Sequence, residues 1–184
     1  MKHLPTIFFS ALLVCIMPLV SCNKNNDSQT TTKTKCVSCA NGGACIHDTC
    51  SCPVGYEGTF CETLSRTKFL GNWTVFEKGS TSNAAQYEVS ITTSANLSQI
   101  TIINFNNFFI SPIVADVHGD TIVIQNQQHN GKVTFGHGYI YTNATFGQFG
   151  ALSLSYEVID TATLRVDDYG VYSSDLSDPS SWNK

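Results

Sequence analysis

Apolar and polar residues alternate through much of the second half of the chain. Tyr87, Val89 and Ile91 alternate with Glu88 and Ser90, and Leu152, Leu154, Tyr156 and Val158 with Ser153, Ser155 and Glu157. A period of two sends each set to one face of a β-strand. Similar runs rich in β-branched and aromatic residues predict strands over Asn72–Lys78, Gln99–Asn104, Ile113–Val117, Thr121–Gln127, Lys132–Thr142 and Thr163–Tyr172. Turn chemistry separates them at Gly79-Ser80, His118-Gly119-Asp120, Asn130-Gly131 and from Gly147 to Gly150. No helical period of useful length is present. The expectation is an all-β domain over residues 68–172, an antiparallel β-barrel or β-sandwich of about eight strands. Its predicted core includes Trp73, Ile100, Ile102, Leu152 and Leu154. Residues 173–184 read as a polar tail, in which Trp182 is dispensable.

The first half carries two other patterns. Lys2 and His3 precede an apolar run from Ile7 to Val20, too short and too soon followed by polar residues to span a membrane as a helix. Residues 22–35 follow, and from Asn23 to Lys35 there is no large apolar residue, which describes a flexible tether reaching roughly 40 Å when extended. Six of the eight cysteines then fall between Cys36 and Cys61. So short a segment cannot bury enough apolar surface to fold by itself, and disulfides must supply what the core lacks. Six cysteines allow fifteen pairings, and spacing alone does not choose among them. A zinc site has Cys36-x2-Cys39 in its favour but no second pair at zinc spacing.

Three resemblances extend this reading. Leu19-Val20-Ser21-Cys22 resembles a bacterial lipobox, which implies a signal peptide over 1–21, cleavage after Ser21 and lipidation of Cys22. Anchoring in the cell outer membrane follows as the default, and two or more acyl chains suffice for it. Residues 36–62 resemble an EGF-like module, through Asn41-Gly42-Gly43 before Cys45, Cys50-Ser-Cys52, Gly55-Tyr56, Gly58 and Cys61. That resemblance implies the bridges Cys36–Cys45, Cys39–Cys50 and Cys52–Cys61, and a stunted main hairpin. The lysines of Thr32-Lys33-Thr34-Lys35 argue against the calcium site that some such modules carry. Phe69-Leu70-Gly71-Asn72-Trp73 resembles the Gly-x-Trp opening of lipocalins and related calycin barrels, including lipocalin-like domains of Bacteroidota surface lipoproteins. It implies that Trp73 lies buried at one closed end of a barrel, beneath the strands carrying Leu154 and Val166. With Cys15 in the removed segment and Cys22 lipidated, six cysteines remain for three bridges.

Composition narrows the function. Removal of Lys2 leaves nine Lys and Arg against fourteen Asp and Glu, a formal charge of −5, which disfavours nucleic acid as a partner. His118, His129 and His137 lack metal-ligand spacing and read as solvated turn residues, so neither a metal nor a cofactor is expected. Asp167 and Asp168 point to opposite faces of a strand, unlike a glycosidase pair, and read as keeping an edge strand soluble. No Gly-x-Ser-x-Gly elbow occurs, and the chain is not expected to be an enzyme. Asp120-Thr121-Ile122 and Asp160-Thr161-Ala162 match a short Bacteroidota O-glycosylation motif and also suit turns. Phe105, Phe108 and Phe109 cluster around Asn106-Asn107, and Phe135, Tyr139, Tyr141, Phe146 and Phe149 recur through a glycine-rich stretch. Most are expected in the core and some on exposed turns at Asn106-Asn107 and Gly147-Gln148, suited to a protein or carbohydrate ligand. The expected role is non-catalytic binding or adhesion at the envelope. The alternative is a lipocalin-like carrier of a small apolar ligand, which needs an apolar cavity of about 300 Å³ or more.

Overall fold

The computed structural model describes Cys36, residues 38–172 and residues 178–184. Cys22, the segment 1–21 and the tether lie outside the described residues. Two short antiparallel pairs open the described chain: β1 (Ala44–Ile46) with β2 (Thr49–Ser51), and β3 (Tyr56–Glu57) with β4 (Thr63–Leu64). His47 and Asp48 both adopt positive φ between β1 and β2, the backbone a two-residue hairpin turn requires. The disulfides are Cys36–Cys45, Cys39–Cys50 and Cys52–Cys61, the same pairs that the resemblance implies. The sulfurs of Cys36, Cys39 and Cys50 lie close enough together to hold a metal ion, but each belongs to a disulfide, leaving no free thiolate. Gly55 and Gly58 have φ of 91° and 98°, a region that side chains with a Cβ rarely enter.

A 3₁₀ turn (Ser65–Phe69) leads into the barrel strands: β5 (Gly71–Glu77), β6 (Ala85–Thr93), β7 (Gln99–Ile103), β8 (Ile113–His118), β9 (Thr121–His129), β10 (Lys132–Asn143), β11 (Gly147–Asp160), β12 (Val166–Tyr169) and β13 (Ser180–Asn183). No α-helix occurs among the described residues. From β5 to β11 each strand pairs antiparallel with the next, β11 pairs with β13, and β13 returns to β5. The result is an eight-stranded antiparallel barrel, with β12 as an additional edge strand. One edge of β11 runs along β10. Its other edge is shared, by β13 over Ala151–Leu154 and by β12 over Tyr156–Ile159.

Alternation decides which side chains fill the interior. Trp73, Val75, Val89, Ile91, Ile100, Ile102, Leu152 and Leu154 are all buried. They are joined by Phe69, Phe105, Phe109 and Trp182, so side chains pack the barrel, as eight strands permit. The Trp73 indole donates to the Phe69 carbonyl at 2.8 Å.

Several expectations are corrected. Residues 180–183 are not tail: β13 supplies the strand that closes the barrel, and Trp182 is fully buried. The β domain therefore continues past Tyr172. Gly147–Gly150 belongs to β11, and the turn lies just before it. Val166 does not cover Trp73; it is 40% exposed and lies toward the opposite end of the barrel, where Glu77 ends β5.

The strand registers define two ends. At one, the β6–β7 and β8–β9 turns meet the disulfide-rich region: a Cβ on Gly55 would lie 3.3 Å from the Leu97 backbone, and Ser65 N–H donates to the Gly55 carbonyl. Lys68, its side chain almost wholly buried, ion-pairs with Glu57 at 2.7 Å and with Asp120 in the β8–β9 turn. Burial lowers the Lys68 pKa, but hydrogen bonds to the two carboxylates outweigh it and the net shift is upward. Arg66 braces the same end by donating to the carbonyls of Ser94 and Asn96.

Candidate functional site

The other end of the barrel is open, and a cleft of about 480 Å³ lies there. Its floor is Glu77, the last residue of β5 and only 8% exposed. Four donors converge on this carboxylate. Tyr87 Oη donates to Oε1 at 2.6 Å, and Tyr156 Oη and Ser180 Oγ each donate to Oε2 at 2.7 Å. Asn106 Nδ2 lies 3.2 Å from Oε1, but its shorter bonds go to the phenol oxygens of Tyr156 (2.9 Å) and Tyr169 (3.0 Å). Trp182 Nε1 completes the relay by donating to Ser180 Oγ at 2.7 Å.

Backbone conformation brings Asn106 inward. Asn104, Asn106 and Asn107 all have positive φ, which asparagine tolerates better than other residues bearing a Cβ. Phe105 anchors this turn in the core, with its ring 4.7 Å from Tyr156 and 6.2 Å from Trp182. Most of this aromatic cluster is core, as expected: Phe105 and Phe109 are buried, and of the three only Phe108, 43% exposed, lines the cleft. The Tyr156 and Tyr169 rings stack at 4.4 Å and 7° on paired residues of β11 and β12.

Acidic residues around the cleft are engaged by neighbours. Asp167 accepts from the amides of Thr81 and Ser82 and from the Tyr169 phenol. Burial raises its pKa, but those donors more than offset this and leave it lowered. Asp168, buried, accepts the amides of Val171 and Tyr172. Both aspartates are structural acceptors that fold the β12 region, which corrects their reading as surface solubilisers. Asp160 takes the amides and hydroxyl of the turn after β11, and the Thr163 amide foremost holds its pKa down at about 2. The phenols move the other way. Burial, assisted by nearby negative charge, pushes Tyr169 up to about 12 and holds Tyr87 and Tyr156 well above the ordinary range.

The remaining candidates are dispersed. His118 ends β8 exposed, and His129 is half-buried at the end of β9. His137 stands outward in mid-β10, paired with Val123 and Ser155, and is not a turn residue. Thr121 and Thr161 are exposed, and their hydroxyls donate to the carbonyls of His118 and Gly131. Tyr139 and Tyr141 face outward on β10 with ring centroids 5.6 Å apart. Glu77 and Asn106 were missed by sequence reasoning. For Glu77 the signal was there: it shares a strand face with Trp73 and Val75 at a spacing of two. For Asn106 there was none, because an asparagine turn looks alike whether its amide points in or out.

No protein-family model matches the sequence, and no curated protein matches it. A solved structure from Bacteroides ovatus, a structural-genomics protein of unknown function, is similar over 61% of this chain, at 11% identity and a TM-score of 0.41. The chain spans 40% of that structure's length, and a likeness at this level carries no argument about function.

Proposed function

We propose that this is a lipid-anchored protein of the cell outer membrane that binds a protein or carbohydrate ligand without catalysis, through the cleft at the open end of its barrel. The disulfide-rich region serves as an EGF-like stalk at the other end. The lipobox-like Leu19-Val20-Ser21-Cys22 supports the anchor, and the cysteine and glycine spacing supports the stalk.

The observation that carries the binding reading is the cleft itself, in which the β5–β6, β7–β8 and β11–β12 connections surround a fixed polar floor. A floor whose carboxylate oxygens already accept from Tyr87, Tyr156 and Ser180 suits recognition better than proton transfer. Among the described residues, no histidine or cysteine lines the cleft. The carrier reading has less support: a carrier needs an apolar cavity, whereas Trp73, Trp182, Phe105 and Phe109 occupy the interior.

Two experiments test this. Cys22→Ser is expected to move the protein out of the membrane fraction or to leave an unprocessed precursor; an unlipidated mature protein that stays on membranes overturns the anchor. The mature full chain in detergent is then used to capture glycans and envelope proteins. Ala85→Trp fills the cleft from an exposed position. Capture is expected to be lost in that variant, and unchanged capture overturns the cleft as the binding site.

A further inference from the structure

Hydrogen-bonding capacity in the cleft is unevenly spent. Its acceptors are occupied from within the protein. Both oxygens of Glu77 are taken by phenol, hydroxyl and amide donors. Asp167 is taken by two amides and the Tyr169 phenol. Asp160 Oδ1 accepts from Ala162 and Thr163, and Oδ2 faces Lys132 Nζ at 3.4 Å.

The side-chain groups left over are mainly donors. The Arg165 guanidinium lines the cleft and makes no hydrogen bond or ion pair among the described residues. The same holds for the Asn83 amide, and Asn107 uses only its oxygen, to accept from Asn104. Lys132 Nζ is fixed 4.9 Å above the Phe108 ring and beside Asp160, with ammonium protons to spare. These donors come from the β5–β6 and β7–β8 loops and from the wall where β10 begins and the β11–β12 turn ends. Between them lie the apolar Val158, Val166 and Phe108.

We propose, building on the binding reading above, that the ligand is an acidic saccharide whose carboxylate meets Arg165 and Lys132. A guanidinium binds a carboxylate through two parallel hydrogen bonds, and the neighbouring amides match ring and hydroxyl oxygens. The apolar wall receives the C–H face of a sugar ring. Three carboxylates also border the cleft. Asp160 already shares the Lys132 ammonium, so Arg165, which has no acidic partner among the described residues, is the cation that takes most of an incoming anionic charge, with Lys132 assisting.

The test is calorimetric titration of the mature full chain in detergent with a uronic-acid disaccharide, the matching neutral disaccharide, and acetate. The acidic disaccharide is expected to bind at least about tenfold more tightly than the neutral one, the scale of one charge-assisted hydrogen bond. Arg165→Ala is expected to lose about the same factor, Arg165→Lys to recover part of it, and added salt to weaken binding. Equal affinity for the neutral sugar overturns the inference, as does an Arg165→Ala variant of unchanged affinity. Acetate that matches the disaccharide in affinity replaces the saccharide with a simple anion and also overturns it. If no probe binds, the inference falls; the binding reading survives only where the chain still captures another partner in an Ala85-sensitive way.

Discussion

The phenol of Tyr156 donates to the Glu77 carboxylate at 2.7 Å, joining residues 79 apart in sequence across the inside of the barrel. No lysine or arginine pairs with Glu77 among the described residues, so neutral donors alone solvate this carboxylate. Replacing it leaves those donors facing a void. Glu77→Leu is expected to destabilise the barrel by roughly 1–3 kcal/mol for each buried donor left without an acceptor. Glu77→Gln, which keeps one acceptor oxygen, is expected to cost less. Urea midpoints of the two variants check this order, and a Leu variant as stable as wild type contradicts the role given to Glu77.

The same cluster predicts alkaline sensitivity. A phenol whose folded pKa is raised contributes stability that is whole below its unfolded value and is lost as pH rises toward the folded one. For Tyr169 that window runs from 10 to about 12, and Tyr87 and Tyr156 are shifted the same way. Stability is therefore expected to fall from about pH 10 upward. Tyrosinate absorbance is expected to show three of the seven tyrosines ionising only as the protein unfolds. Smooth titration of all seven with the fold intact would contradict the burial of this cluster.

How much of this was legible depended on whether a feature repeats locally. Ile100 and Ile102, or Leu152 and Leu154, alternate with polar neighbours, and alternation marks one buried face without knowledge of the partner strand. The disulfide-rich region was legible because cysteine and glycine positions form a dense local pattern. Ser180-Ser181-Trp182-Asn183 has no such repeat. It is a strand because β5 and β11 leave a gap of its width, and that gap is a property of the closed barrel. The cleft was hidden for a related reason: its floor comes from β5, β6, β11, β12, β13 and an asparagine turn, which only the closed fold brings together.

Glu157 and Asp168 oppose each other across β11 and β12, both largely buried. Like charges placed directly opposite on adjacent strands destabilise a sheet. Burial first, and the charge of Asp168 second, raise the Glu157 pKa above its ordinary 4.5. A carboxyl raised in this way favours folding at pH values below 4.5 and opposes it once ionised at neutral pH. Glu157→Gln is therefore expected to be more stable than wild type at pH 7, with the advantage shrinking toward pH 4. Thermal melting at the two pH values measures it, and an advantage independent of pH would assign the gain to something other than charge.

Trp182 gives the sharpest test of the barrel, because the sequence placed it in a tail and the structure places it in the core. Its strand is only four residues long, yet it fills the seam between Val75 on β5 and Leu152 on β11. The indole is fully buried, packs near Phe105 and donates to Ser180, which in turn donates to Glu77. Loss of so large a side chain from a packed interior costs about 3–5 kcal/mol, so Trp182→Ala is expected to destabilise about as much as Trp73→Ala. Deleting residues 180–184 goes further, since it exposes the unpaired edges of two strands and invites aggregation. In single-tryptophan variants, Trp73→Phe and Trp182→Phe, acrylamide is expected to quench the remaining indole weakly in both. A Trp182 quenched as freely as tryptophan in solution, or a truncated chain as stable as the whole, would mean that the seam between β5 and β11 is closed by something other than β13.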